Sequence, residues 1–85
     1  SGATPARERL WPNPVTDACE FRGAPGTMLR LFDSSGRLVQ AYQVRDGYAR
    51  LDARQLGLAP GIYLVQAELP GRRTRHKLVV CRPRD

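Results

Sequence analysis

The chain has 85 residues and a net charge of +6, and 41% of its residues are hydrophobic. That length makes one domain with one small core, burying roughly 60–65% of the surface its unfolded chain would expose. No stretch approaches the roughly 20 apolar residues of a membrane-spanning helix, and no charged-then-apolar leader opens the chain, so work outside the cytoplasm requires a longer precursor.

Residues 1–7 open the sequence with small and polar side chains that show no periodicity, and they read as a linker or an expression remnant. A single domain is expected over residues 8–85. Its first extended run, 7–11, ends in the segment Trp11-Pro12-Asn13-Pro14. Each proline fixes its own φ and pushes the residue before it toward extended conformations. The segment is therefore a rigid corner from which a second run, 15–21, departs. Along that run Val15, Cys19 and Phe21 share one parity, so all three should face the core.

Four turn signals punctuate the rest, and helical periodicity is absent. Asp33-Ser34-Ser35-Gly36 suits a type I turn closed by a glycine with positive φ. Asp46-Gly47 is a strong hairpin signal, Leu58-Ala59-Pro60-Gly61 bends the chain before a strand, and Pro70-Gly71 supplies the centre of a further turn. Between them lie extended runs at 27–33, 37–44, 48–53, 61–69 and 72–82. Seven short strands at regular spacing predict an all-β fold, an antiparallel β-sandwich.

The last hairpin can be registered from its turn. A two-residue turn at Pro70-Gly71 sets Leu69 opposite Arg72, Ala67 opposite Thr74, Val65 opposite His76 and Tyr63 opposite Leu78. One face then collects Tyr63, Val65, Ala67, Leu78 and Val80 as core, with the Tyr63 ring expected between the sheets. The other face pairs Glu68 with Arg73 and Gln66 with Arg75. The middle is less consistent. The turn at 34–36 sets Leu31 opposite Val39 and Leu29 opposite Ala41, whereas the Asp46-Gly47 turn sets Tyr42 opposite Leu51 and Val44 opposite Ala49. These pairings call on opposite faces of the run 37–44, so either a bulge near Gln40 or a strand that changes sheets is required.

Catalytic chemistry finds no constellation here. His76 is the single histidine and falls on the core side. The acids are scattered, several in turns where Asp serves the backbone, and no cysteine–histidine spacing suits zinc. No nucleophile, base and orienting group are drawn together, so no enzyme and no cofactor is expected. Thirteen arginines against Lys77 alone, crowded in 71–77, could track phosphates. Stacking aromatics are missing from that segment, and a solvated strand face that deters edge pairing is the favoured reading. Cys19 and Cys81 point to opposite faces, which argues against a bridge.

Four segments in order, Leu10–Asp17, Leu29–Val39, Leu58–Glu68 and His76–Val80, resemble the type A C-terminal sorting domain of the type IX secretion system. The matching positions are the corner Pro12, Asn13 and Pro14, then Gly36 with Arg37 and Leu38, then Gly61, Ile62 and Tyr63, then Lys77, Leu78, Val79 and Val80. The resemblance spans residues 10–82 and implies a seven-stranded immunoglobulin-like β-sandwich without catalytic activity. It implies an export address carried by an upstream cargo through the periplasm and the outer membrane to the cell surface. The implied partners are the outer-membrane translocon and its shuttle proteins, with no nucleic acid and no membrane insertion. In many members a surface sortase removes the domain and joins the cargo to lipopolysaccharide; in others the domain is retained. Among the matching positions, Lys77, Leu78, Val79, Val80, Gly61, Tyr63 and Gly36 are the candidate recognition residues, and the corner is assigned a structural part. The terminal strand is expected to offer both side chains and a free backbone edge. An immunoglobulin-like accessory or adhesion module is the alternative reading.

Overall fold

The computed structural model describes residues 8–82, in which seven strands form two antiparallel sheets. The strands are β1 (Arg9–Trp11), β2 (Ala18–Arg22), β3 (Met28–Phe32), β4 (Leu38–Gln43), β5 (Tyr48–Asp52), β6 (Gly61–Leu69) and β7 (Arg72–Val80). One sheet runs β1-β2-β5 and the other β4-β3-β6-β7. This is the expected immunoglobulin-like sandwich. The proposed linker at 1–7 and the end of the tail lie outside the described residues.

Alternation along the strands builds the core. Cys19, Phe21, Ala49 and Leu51 point inward from the smaller sheet, and Leu29, Leu31, Val65, Ala67, Leu78 and Val80 from the larger. Val15, Val44 and Ala53 fill the core from the connections between strands.

The β6–β7 hairpin has the register its turn dictates: Leu69 pairs with Arg72, Ala67 with Thr74, Val65 with His76 and Tyr63 with Leu78. Gly71 takes φ 72°, the positive value that the second central position of a type II turn requires. Glu68 also gains more than the expected Arg73. Arg30 of β3 reaches one carboxylate oxygen at 2.5 Å and Arg73 the other at 3.0 Å, an exposed lattice across three strands.

In the middle both proposed devices are present. Phe32 pairs with Leu38, as the Ser34-Ser35-Gly36 loop demands. The register then slips by one residue, so that Leu31 faces Gln40 rather than Val39 and Leu29 faces Tyr42 rather than Ala41. The extra residue is a bulge at Val39, next to the anticipated Gln40. The Asp46-Gly47 turn forms as expected, with Arg45 bridging Tyr48 and φ of 53° and 85° at its centre. Beyond it the chain changes sheets, so the pairs Tyr42–Leu51 and Val44–Ala49 do not form and β5 pairs with β2 instead.

The run 15–21 likewise divides. Val15 makes a parallel bridge to Val80 in the larger sheet, and only from Ala18 does the chain pair in the smaller one. Its parity survives, since Val15, Cys19 and Phe21 are all buried.

Candidate functional site

The corner docks on the outer edge of β7. Asn13 Nδ2 donates to the Lys77 carbonyl at 2.7 Å, and Asn13 Oδ1 accepts from the Val79 N–H at 3.0 Å. The next residue of the edge is closed by backbone: the Val15 N–H donates to the Val79 carbonyl at 2.8 Å, and the Cys81 N–H to the Val15 carbonyl at 2.7 Å. A primary amide carries a donor and an acceptor on one planar group, so Asn13 stands in for a peptide unit of a neighbouring strand. The flanking prolines offer no N–H of their own to compete for these partners, and each fixes its own φ within the corner. The expected free edge on the terminal motif is therefore corrected: from Lys77 to Cys81 it is already hydrogen-bonded.

The remaining candidate residues gather at the same end of the larger sheet. Gly61 pairs with Val80, Ile62 with Val79, Tyr63 with Leu78 and Leu64 with Lys77. Leu78 and Val80 are buried. The Tyr63 ring is only half-buried, packing on the rim of the core while its hydroxyl donates to the Ala59 carbonyl at 2.7 Å. The expectation of a fully enclosed ring fails because the polar tip of tyrosine needs a partner, and here that partner lies on the loop before β6. Gly36 sits in the turn between β3 and β4. There Asp33 Oδ1 accepts from the Ser35 hydroxyl and from the backbone N–H groups of Ser35 and Arg37. Those bonds hold the Asp33 carboxyl below the usual carboxylate range, the Ser35 hydroxyl contributing most.

On the outer face the sheet carries a shallow groove of about 500 Å³, lined by Phe32, Ile62 and Leu64 with Arg75 and Lys77 alongside and Gly36 at its rim. Ile62 is 55% exposed. Glu68 engages Arg30 and Arg73, and its carboxyl is held low by those two guanidinium groups, Arg30 first. Arg75 and Lys77 have no ion-pair partner among the described residues.

One polar node was not anticipated. Glu8, at the start of the described chain, is half-buried and accepts from the Thr74 hydroxyl, with its Oε1 2.9 Å from His76 Nε2. His76 lies edge-on to Phe21 at 5.7 Å between ring centres, on the core side as its register implied. Thr74 and His76 share inward parity in the sequence, and a polar pair facing a core calls for a polar partner. Cys19 is buried and Cys81 half-buried, and both thiols are free. Burial pushes the Cys19 thiol up to about 11.

The sequence profile of the secretion system C-terminal sorting domain family matches residues 9–81. The chain belongs to this family. The sorting domain is also similar in structure to part of PorZ, described as an essential bacterial surface component of the type IX secretion system of Porphyromonas gingivalis. The TM-score is 0.81 at 22% identity, and the match covers 95% of this chain and 13% of PorZ. At that identity the likeness speaks for the fold. Comparison with curated protein sequences returns no match. The sorting domain is thus a C-terminal signal of the type IX secretion system, a family that serves export to the outer membrane or cell surface.

Proposed function

We propose that this sorting domain is read through the outer side-chain face of its terminal strand, centred on Lys77 and Val79. In this reading Leu78, Val80, Gly61 and Tyr63 hold that strand against the core, Gly36 shapes the neighbouring turn, and Pro12, Asn13 and Pro14 fix its edge. The observation that carries the reading is the pair of hydrogen bonds by which Asn13 donates to the Lys77 carbonyl and accepts from the Val79 N–H, joining the first and last motifs of the chain. With the backbone edge occupied there, a partner has side chains to engage. The domain is non-catalytic and follows a covalently linked cargo through the periplasm. It meets the outer-membrane translocon and its shuttle proteins, then either is removed by a surface sortase that attaches the cargo to lipopolysaccharide or stays in place.

The test is delivery of a reporter cargo fused ahead of the domain in a bacterium with a type IX system. The fusion is expected at the cell surface, and the cargo alone is expected to remain in the periplasm. Lys77→Glu with Val79→Ser spares the buried Leu78 and Val80, and it should stop delivery while the isolated domain keeps its melting temperature. Normal delivery of the doubly substituted fusion refutes the assignment to this face. The mass of the surface product, with or without the domain, decides between removal and retention.

A further inference from the structure

The groove beside the terminal motif spans three strands. Phe32, Leu64 and Lys77 lie side by side across β3, β6 and β7, and Ile62 and Val79 form the adjoining row. Leu64 is flanked directly by the Phe32 ring position on one side and the lysine on the other. Arg75 sits one outward position further along β7, opposite Gln66. The acids nearest the groove are already engaged. Asp33 is turned into its own turn, and Glu68 bridges Arg30 and Arg73. The face therefore presents an apolar floor with two cations, Arg75 and Lys77, that have no ion-pair partner among the described residues, and one carboxylate, Asp33, at the turn end, whose Oδ1 is taken up by the N–H and hydroxyl groups of its own turn.

We infer that this groove takes an apolar segment of a protein partner whose flanks are acidic. The inference rests on the proposed reading of the terminal strand and names the chemistry of what reads it. Desolvating Phe32, Ile62 and Leu64 supplies the attraction, and Arg75 and Lys77 select the sign of the flanking charge. A second copy of this chain, itself at +6, would bring like charge to the same rim. An acyl chain would be sheathed on one side only, because the floor is the open outer face of a sheet. The backbone edge next to the groove is closed by Asn13 and Val15, so a partner seats on side chains rather than adding a strand there.

The probe is a pair of synthetic twelve-residue peptides with the same Leu- and Phe-rich centre, one flanked by Glu and the other by Lys. Each is titrated into the isotopically labelled domain and followed by amide chemical shifts. The Glu-flanked peptide is expected to shift Phe32, Ile62, Leu64 and Lys77 in a saturable way, at least tenfold more tightly than the Lys-flanked one. Salt should weaken it, and Arg75→Glu with Ile62→Thr should cost at least tenfold in affinity with an unchanged melting temperature. Equal affinity for both peptides, no saturable shift, or shifts centred on Trp11 and Tyr48 of the other sheet overturns the inference. The same pair of substitutions in the reporter fusion leaves Lys77 and Val79 in place and should reduce surface delivery at least tenfold. If the unsubstituted fusion is delivered and this variant is delivered equally, the groove is not the docking site, although the domain remains a sorting signal. If the unsubstituted fusion is not delivered, the proposed function fails and the peptide titration alone decides the groove.

Discussion

Asn13 closes the distance between the two ends of the chain with one side chain. Replacing it with Ala removes a donor and an acceptor that serve Lys77 and Val79. At about 0.5–1.5 kcal/mol net for each hydrogen bond, the loss should be about 1–3 kcal/mol in a urea or thermal melt. Tyr63 is a second residue with two parts, a half-buried ring and a hydroxyl bonded to Ala59. Partial burial moves Tyr63→Ala toward the lower end of the roughly 3–5 kcal/mol typical of aromatic truncations, and Tyr63→Phe should cost about 1 kcal/mol. Cys19 gives the pH dependence. Burial raises its thiol from 9.0 to about 11, so the folded state favours the neutral form. Its contribution to stability is whole below pH 9.0 and is lost as pH rises through about 11. Tyr42, raised chiefly by burial, titrates in the same sense. The measurement is therefore a comparison of slopes: Cys19→Ala should flatten the alkaline fall in stability relative to the parent chain.

At the scale of elements, the hairpin and the sheet change obey different logic. The β6–β7 register was legible because a two-residue turn fixes every pair that follows it. The Asp46-Gly47 turn is equally clear in sequence and equally well formed, yet its flanking strands part company. Val44 is buried between the sheets and β5 is captured by β2, so burial of both inward rows outweighs extension of a local ladder. Gly47 takes φ 85°, and a Cβ placed there would meet only the Gly23 carbonyl oxygen at 3.6 Å, an ordinary contact. Gly47→Ala should therefore cost about 1–2 kcal/mol through backbone strain alone, measurable by denaturant titration. A cost near zero would show that the turn relaxes to another type.

The whole molecule has one core, and Phe21 stands at its centre with no exposed surface, its ring meeting His76. Phe21→Ala should cost about 3–5 kcal/mol, and a domain of this size has little more to lose. The expected outcome is a chain that is largely unfolded at 37 °C, read by circular dichroism. A cooperative melt close to that of the parent would contradict the packing described here.

By itself the sequence determined the strand count, the turns, the inward parity of Phe21, Val65, Leu78 and Val80, and the family to which the chain belongs. Those features are local, set by alternation, by proline and glycine geometry and by short motifs. Tertiary structure decided three things that local signals do not encode. It split the run 15–21 between two sheets, it joined Asn13 to β7 across 64 residues, and it set Glu8 against Thr74 and His76. Each depends on where unpaired backbone or polar groups of one segment come to lie beside another. That is settled only when both sheets have closed over their common core, where an unmatched hydrogen-bonding group is too costly to leave.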